Sequence, residues 1–293
     1  MKLSVCIPVY NFDVRNLVED LNREINKKEL DAEIILIDDA SDETFTNINK
    51  DLLDKVQSFI FLDKNVGRSK IRNLFLNYSK GEYMLFLDCD VKIDNTNFLS
   101  NYLQQIEQNR ELDLFYGSFK ISPQYSHTLR NKYSLEREIP IKGKSDFSTF
   151  KTVNFVVKKD VFRRFTFNEE LANYGYEDYI FAKKLEINNI KFLAINNPVI
   201  HVDDSRNDVF LAKTETAINS LFQVSQKKEN HIFIKDMKVY RIAQKIKKAG
   251  FISLFLFFYS FVESKMVNNL LSDNPKIMYL DFYKLGLLLK KMN

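Results

Sequence analysis

The chain contains no tryptophan, and only two cysteines, five prolines and seven glycines among its 293 residues. Each shortage closes off a class of function. Cys6 and Cys89 both fall in apolar strand contexts; two cysteines make no disulfide framework, and they suit a reducing cytosol. The glycines form neither GxGxxG nor GxxxxGK[ST]. Any phosphate bound here must therefore be neutralised by metal or side chains, not by a glycine-rich backbone nest. A formal net charge of +4 is too small to indicate nucleic acid, and no nucleic-acid partner is expected. The run Ala249–Val262, roughly 14 uncharged residues, falls short of the ~20 that a membrane-spanning helix needs. The opening Met1–Pro8 has too short an apolar stretch for a signal peptide and runs straight into a strand, so a cytoplasmic location is expected. No internal repeat or low-complexity linker interrupts the chain.

What is present is a regular order of elements. Apolar strands at Leu3–Val9, Glu33–Ile37, Ser58–Leu62 and Tyr83–Leu87 alternate with helices at Val14–Lys28, Glu43–Lys55 and Gly67–Ser79. This βαβαβαβ order predicts a largely parallel sheet covered on both faces. Beyond it, Asn97–Asn109 reads as a helix, Leu112–Ile121 and Thr152–Val157 as strands, Glu177–Asn188 as a helix and Ile190–Ile195 as a strand. Ser122–Ser148 is polar and basic and matches no period. From about Asp208 the pattern is helical only, with amphipathic stretches at Phe210–Gln226 and Ile234–Lys248. The expected division is residues 1–207, with halves 1–92 and 93–207, followed by a helical extension, 208–293.

The chemistry gathers at strand ends. Tyr83–Leu87 runs into Asp88-Cys89-Asp90, and the carboxyl ends of parallel strands are where open α/β sheets bind ligands. Two hard oxygen donors at that spacing suit Mg²⁺ or Mn²⁺ shared with a diphosphate; the plainer alternative is an Asp-rich turn. Asp38-Asp39 ends the second strand beside Pro8-Val9-Tyr10. There Tyr10 could stack on a base while a carboxylate accepts an imide N–H or a ribose hydroxyl, or Asp39 or Ser41 could simply cap a helix. Arg68 and Arg72 add fixed positive charge at the start of a helix, which already favours anions. Glu177-Asp178 opens a helix flanked by Tyr174, Tyr176 and Tyr179. That arrangement suits either dipole partners or a sugar-binding floor with a general base. His201 follows a strand, and beside a carboxylate cation site an imidazole is a fitting further donor.

Taken together, Ser4–Asn11, Ile34–Asp42, Asn65–Asn73 and Gly81–Asp90 resemble the ordered motifs of family 2 glycosyltransferases of the GT-A fold. Phe167–Glu170 and Gly175-Tyr-Glu-Asp178 resemble the Gly-x-Glu-Asp segment of β-galactosyl- and N-acetylgalactosaminyl-transferase-like enzymes. The likeness covers about residues 2–205. It implies an α/β, Rossmann-like domain followed by the helical extension. It also implies that Pro8, Tyr10 and Asp39 hold the nucleotide base, with Asp38 nearby and Arg72 near the nucleotide or its phosphates. Asp88 would meet the ribose or sugar, Asp90 and His201 the Mn²⁺ or Mg²⁺ ion. Asp178 would be the catalytic base and Glu177 its acceptor-orienting neighbour. Tryptophan often shapes the acceptor site in this family; here Tyr174, Tyr176 or Phe155 would take its place.

The expectation is therefore an inverting, metal-dependent transferase that moves a hexosyl or N-acetylhexosaminyl unit from a UDP-sugar to a glycan or lipid-linked acceptor in polysaccharide synthesis. A sugar nucleotidyltransferase would carry a glycine-rich segment after its first strand, where this chain has Val9-Tyr-Asn-Phe-Asp13. A non-catalytic sugar-binding partner would have no need of both Asp90 and Asp178. Lys245, Lys247 and Lys248 precede the Phe-rich run Phe251–Val262, and Phe282–Leu289 precedes Lys290-Lys291. Such pairings suit helices lying in an anionic membrane surface, peripheral at its inner face, or helices packed as core.

Overall fold

The computed structural model describes residues 2–139, 147, 150–170 and 175–293. In chain order the strands are β1 (Leu3–Val9), β2 (Ala32–Asp38), β3 (Ser58–Phe61), β4 (Tyr83–Leu87), β5 (Val91–Lys92), β6 (Leu114–Tyr116), β7 (Phe119–Ile121), β8 (Asn154–Lys158), β9 (Phe192–Ala194) and β10 (Val199–His201). The α-helices are α1 (Arg15–Lys28), α2 (Glu43–Asn49), α3 (Arg68–Leu74), α4 (Phe98–Gln108), α5 (Leu129–Tyr133), α6 (Lys159–Arg164), α7 (Glu177–Ile187), α8 (Asn207–Ser225), α9 (His231–Ile234), α10 (Lys238–Lys248), α11 (Ile252–Leu270) and α12 (Ile277–Met292).

The chain divides into two compact units. The first comprises residues 1–122, 139–172 and 177–202; the second comprises 123–138, 173–176 and 203–293. The segment 123–138, which shows no period in the sequence, is helical and belongs to the second unit, with α5 continued by a π-helical turn at Ser134–Glu138.

In the first unit the described residues form a seven-stranded sheet in the order β3-β2-β1-β4-β8-β6-β9. Strands β3, β2, β1 and β4 are mutually parallel, whereas β8 runs antiparallel to both β4 and β6. Alternation sorts the side chains. Leu3, Val5, Ile7 and Val9 of β1, with Tyr83, Leu85 and Leu87 of β4, pack with α1 and α4 on one face. Cys6, Met84 and Phe86 face the other way, among residues of α3, α6 and α7. Because the period is two, a one-residue slip would exchange these two sets, so burial fixes the register. On the second face phenylalanine does the filling: Phe86 stacks on Phe155 at 5.0 Å and Phe167 on Phe181 at 4.1 Å. Phe155 is thus a core residue and does not take the place of a tryptophan in an acceptor site.

The expected single strand Leu112–Ile121 is two strands in two sheets. Gly117 and Ser118, the latter with φ of 61°, turn the chain between β6 and β7. A Cβ at Gly117 would collide with the Tyr102 hydroxyl and with Asn154. Asn154 holds the turn: its Oδ1 accepts from Tyr102 at 2.6 Å, and its Nδ2 donates to Ser118 O and Asn197 O, both at 2.9 Å. The small sheet β5-β10-β7 follows from that turn, with His201 opposite Val91.

In the second unit α11 and α12 pack together, and Tyr259, Met266, Leu270, Ile277, Leu280 and Tyr283 share a core with Phe210 and Leu211 of α8. The expected helix Ile234–Lys248 is broken at Met237, which is extended with ψ of 124°, so that α9 and α10 are separate. The Phe-rich run becomes the first part of the 19-residue helix α11, and Phe282–Leu289 lies within α12. Among the described residues no helix is long and apolar enough to cross a membrane.

Candidate functional site

Three parallel strands end side by side. β1 stops at Val9, and its ladder with β4 ends at Cys6 opposite Phe86; Pro8, which has no N–H to donate, lies beyond it. Tyr10 follows with about half its surface exposed (52%). The chain is pinned there: Asn11 N–H donates to Ser41 Oγ at 2.8 Å, and Asp42 N–H donates to Asn11 Oδ1 at 2.7 Å. These contacts tie the β1 exit to the β2 exit.

Asp38 and Asp39, at that β2 exit, are both buried but differ in use. Asp39 accepts N–H bonds from Val66 at 2.7 Å and Gly67 at 3.1 Å, fixing the loop that leads into α3. Burial raises the Asp39 pKa; those two N–H donors pull the other way, and the neighbouring Asp38 charge adds to the rise. Asp38 Oδ1 accepts the Ser41 N–H at 2.8 Å and so closes the turn after β2, while α2 begins after Asp42 with no side-chain cap from Asp39 or Ser41. Its Oδ2 is buried with no hydrogen-bond partner. Each Asp39 oxygen keeps a second lone pair for a ligand N–H.

The β4 exit carries a short, largely buried ion pair. Asp88 Oδ1 lies 2.6 Å from an Arg72 terminal nitrogen, with Arg72 almost wholly buried. Arg72 also donates to Arg68 O at 3.2 Å and stands 5.5 Å over the Phe167 ring. Its guanidinium is thus committed to holding Asp88 in place. Between the two carboxylates, burial pushes the Cys89 thiol pKa up, and its sulfur receives the Tyr10 backbone hydrogen bond.

Asp90 and His201, distant in sequence, are brought together by the small sheet. Asp90 Oδ2 is 3.3 Å from His201 Nε2, and the Val202 N–H donates to Asp90 O at 2.9 Å. Phe119 edges onto the imidazole at 5.8 Å between ring centres. Burial opposes ionisation of Asp90, but the neighbouring His201 and the Arg68 charge outweigh it and bring the carboxyl down to about 2. Asp90 Oδ1 is buried with no hydrogen-bond partner. One hard oxygen beside one imidazole nitrogen fits a divalent cation such as Mn²⁺ or Mg²⁺. Among the described residues no group of three or more His, Cys, Asp or Glu gathers.

α7 begins at Glu177-Asp178. Glu177 is buried and lies 3.6 Å from Arg68, which connects it to the charge beside Asp90. Asp178 remains partly exposed, accepts the Tyr179 N–H at 2.7 Å and lies 3.5 Å from Lys151 Nζ. Sequence reading passed over Lys151, whose only signal is a charge at the mouth of the β8 strand. Tyr176 takes a left-handed φ of 69° and falls within the second unit. Tyr174 lies outside the described residues.

The model of the family described as "Glycosyl transferase family 2" matches residues 4–171. A poly(ribitol-phosphate) beta-glucosyltransferase of Bacillus spizizenii is 30% identical over 125 residues, which is 41% of this chain and 19% of that protein's length. Among solved structures, S. aureus TarS 1–349 in complex with UDP superposes with a TM-score of 0.57 at 18% identity, over 99% of this chain and 89% of that one. A mannosyltransferase from Pyrobaculum calidifontis, in complex with GDP-Man and Mn²⁺, superposes with a TM-score of 0.58 at 11% identity, over 99% and 85%. At these identities the structural likeness concerns the fold, which is GT-A.

Proposed function

This chain belongs to glycosyl transferase family 2, and from that premise we propose that it is an inverting, metal-dependent enzyme using a UDP-sugar donor. The acceptor is a hydroxyl of a glycan or lipid-linked saccharide in the synthesis of a surface polysaccharide. The observation that carries the reading is the pairing of Asp90 with His201 beyond the carboxyl end of β4, with Asp90 Oδ1 buried and without a hydrogen-bond partner. Tyr10, Asp38 and Asp39 at the adjoining strand ends would receive the nucleotide, the exposed ring stacking on the base and a carboxylate accepting its imide N–H. Arg72 orients Asp88 toward the ribose or sugar.

A divalent cation bound by Asp90 and His201 would supply positive charge against the leaving diphosphate. Asp178 takes the proton from the acceptor hydroxyl as its oxygen attacks the anomeric carbon. The bond from that carbon to the diphosphate oxygen breaks on the opposite face, so configuration inverts. Lys151 and the first turn of α7 hold the Asp178 carboxylate in position, and Glu177, pinned by Arg68, lies beside it to orient the acceptor.

Incubation of the protein with a panel of UDP-sugars and GDP-sugars and Mn²⁺ tests this reading. Slow UDP release from one or more donors, lost on chelation and regained on adding Mn²⁺, is the expected result. Full activity in excess chelator would sink the metal-dependent mechanism, and release confined to GDP-sugars would overturn the donor assignment.

A further inference from the structure

The second unit carries an apolar face that none of its described residues covers. α11 points Ile252, Tyr259, Met266 and Leu270 into its own core, at helical spacing. Its opposite side shows Leu254, Phe257, Phe258, Phe261 and Val262 to solvent, between 41% and 70% exposed, and Phe251 just before the helix is 57% exposed. A helix apolar on all sides is normally buried on all sides, and an exposed aromatic cluster of this kind marks an interaction surface. Phe257 is stacked edge-on against both Phe258 and Phe261, at 5.5 and 5.0 Å, so the rings form one continuous patch.

Charge identifies the occupant. α10 contains no acidic residue, and Lys238, Arg241, Lys245 and Lys248 are exposed along one side of it at spacings of three and four. Lys247 is exposed as well. The helix closes on Gly250 with φ of 74°, where the Phe251 N–H reaches back to Ile246 O at 3.1 Å. That tight closure keeps Lys248 within about 11 Å of Phe251 along the chain. We propose that this face docks on the surface of an anionic lipid bilayer, with the phenylalanines at the acyl boundary and the α10 cations among the headgroups. α12, by contrast, buries Tyr283, Leu285, Leu288 and Leu289 and pairs Lys290 with Glu263 at 2.7 Å, so only its Phe282 and Met278 add exposed apolar surface. The inference stands on the helical unit alone. Only its consequence, access to a lipid-linked acceptor, rests on the proposed glycosyl transfer.

Co-sedimentation of the full-length protein with phosphatidylcholine vesicles, with and without phosphatidylglycerol, tests it. At low salt the protein should pellet with the anionic vesicles and not the neutral ones, and added salt should release it. Phe258→Ser/Phe261→Ser and Lys245→Glu/Lys248→Glu should each weaken binding at least about tenfold, with circular-dichroism melting and UDP release in solution unchanged. A wild-type protein that ignores anionic vesicles at low salt overturns the proposal. So does a dimer, seen by light scattering without vesicles, that Phe258→Ser/Phe261→Ser dissolves. Because UDP release is read separately, loss of vesicle binding and loss of catalysis are distinguishable.

Discussion

At the scale of single residues, the site is a set of carboxylates in unlike surroundings. Asp178 remains partly accessible beside Lys151, as the base role proposed for it requires. Asp178→Asn keeps shape and the α7 turn but cannot take a proton. The rate of transfer should fall about 10²–10⁴-fold, while UDP-sugar affinity measured by calorimetry stays close to wild type. A parallel collapse of donor affinity would make Asp178 a binding residue instead. Asp90 presents a different quantity. Its carboxyl is lowered from 3.8 to about 2 by His201 and Arg68. Its stabilising share is therefore fully present above the unfolded value and disappears as pH falls through the folded one. Denaturation curves of wild type and Asp90→Asn should thus differ at pH 5 and converge as the pH approaches 2; a constant difference throughout would refute the Asp90–His201 pairing.

At the scale of elements, the separation of β6 from β7 decides where His201 lies. The turn at Gly117-Ser118 is possible because Asn154 satisfies Ser118 O, Asn197 O and the Tyr102 hydroxyl at once. Removing that amide leaves buried polar groups unpaired, which costs more than the hydrogen bonds themselves contribute. Asn154→Ala should destabilise the protein by about 3 kcal/mol in chemical denaturation. A loss within experimental error of zero would mean that water replaces the amide. The sequence could not announce this device. A polar residue inside an apolar strand has the same appearance whether it ends the strand or anchors a neighbouring turn, and the partners of Asn154 come from three separate segments.

At the scale of the whole molecule, the cation proposed at Asp90 and His201 would add little folding energy by itself, unlike one in a closed structural site. Mn²⁺ alone should leave the melting temperature where chelator leaves it. Mn²⁺ with UDP should raise it, since at a hundredfold excess over Kd a ligand specific to the folded state stabilises by about 2.7 kcal/mol. A rise with Mn²⁺ alone would point to a fuller protein cage; no rise with both would remove the donor site from the strand ends. Salt should act elsewhere. The charge of the chain is near balance at +4, so steering by its overall field is weak, and ionic strength should register mainly at the α10 stripe.

The sequence by itself determined the alternation of strands and helices through Tyr83–Leu87 and the fold class. It also set the carboxylates Asp38, Asp39, Asp88 and Asp90 at strand ends. Periodicity and end position are local properties, and local spacing records them. Tertiary structure decided the rest. It set β8 antiparallel in an otherwise mostly parallel sheet, and it divided Leu112–Ile121 between two sheets. It committed Arg72 to Asp88 and joined His201 to Asp90. It also distinguished α11, with an outward aromatic side, from α12, whose similar composition is mostly buried. In each case the deciding energy is a pairing or burial between segments far apart in the chain, and the identity of the residues on one segment carries no record of its partner.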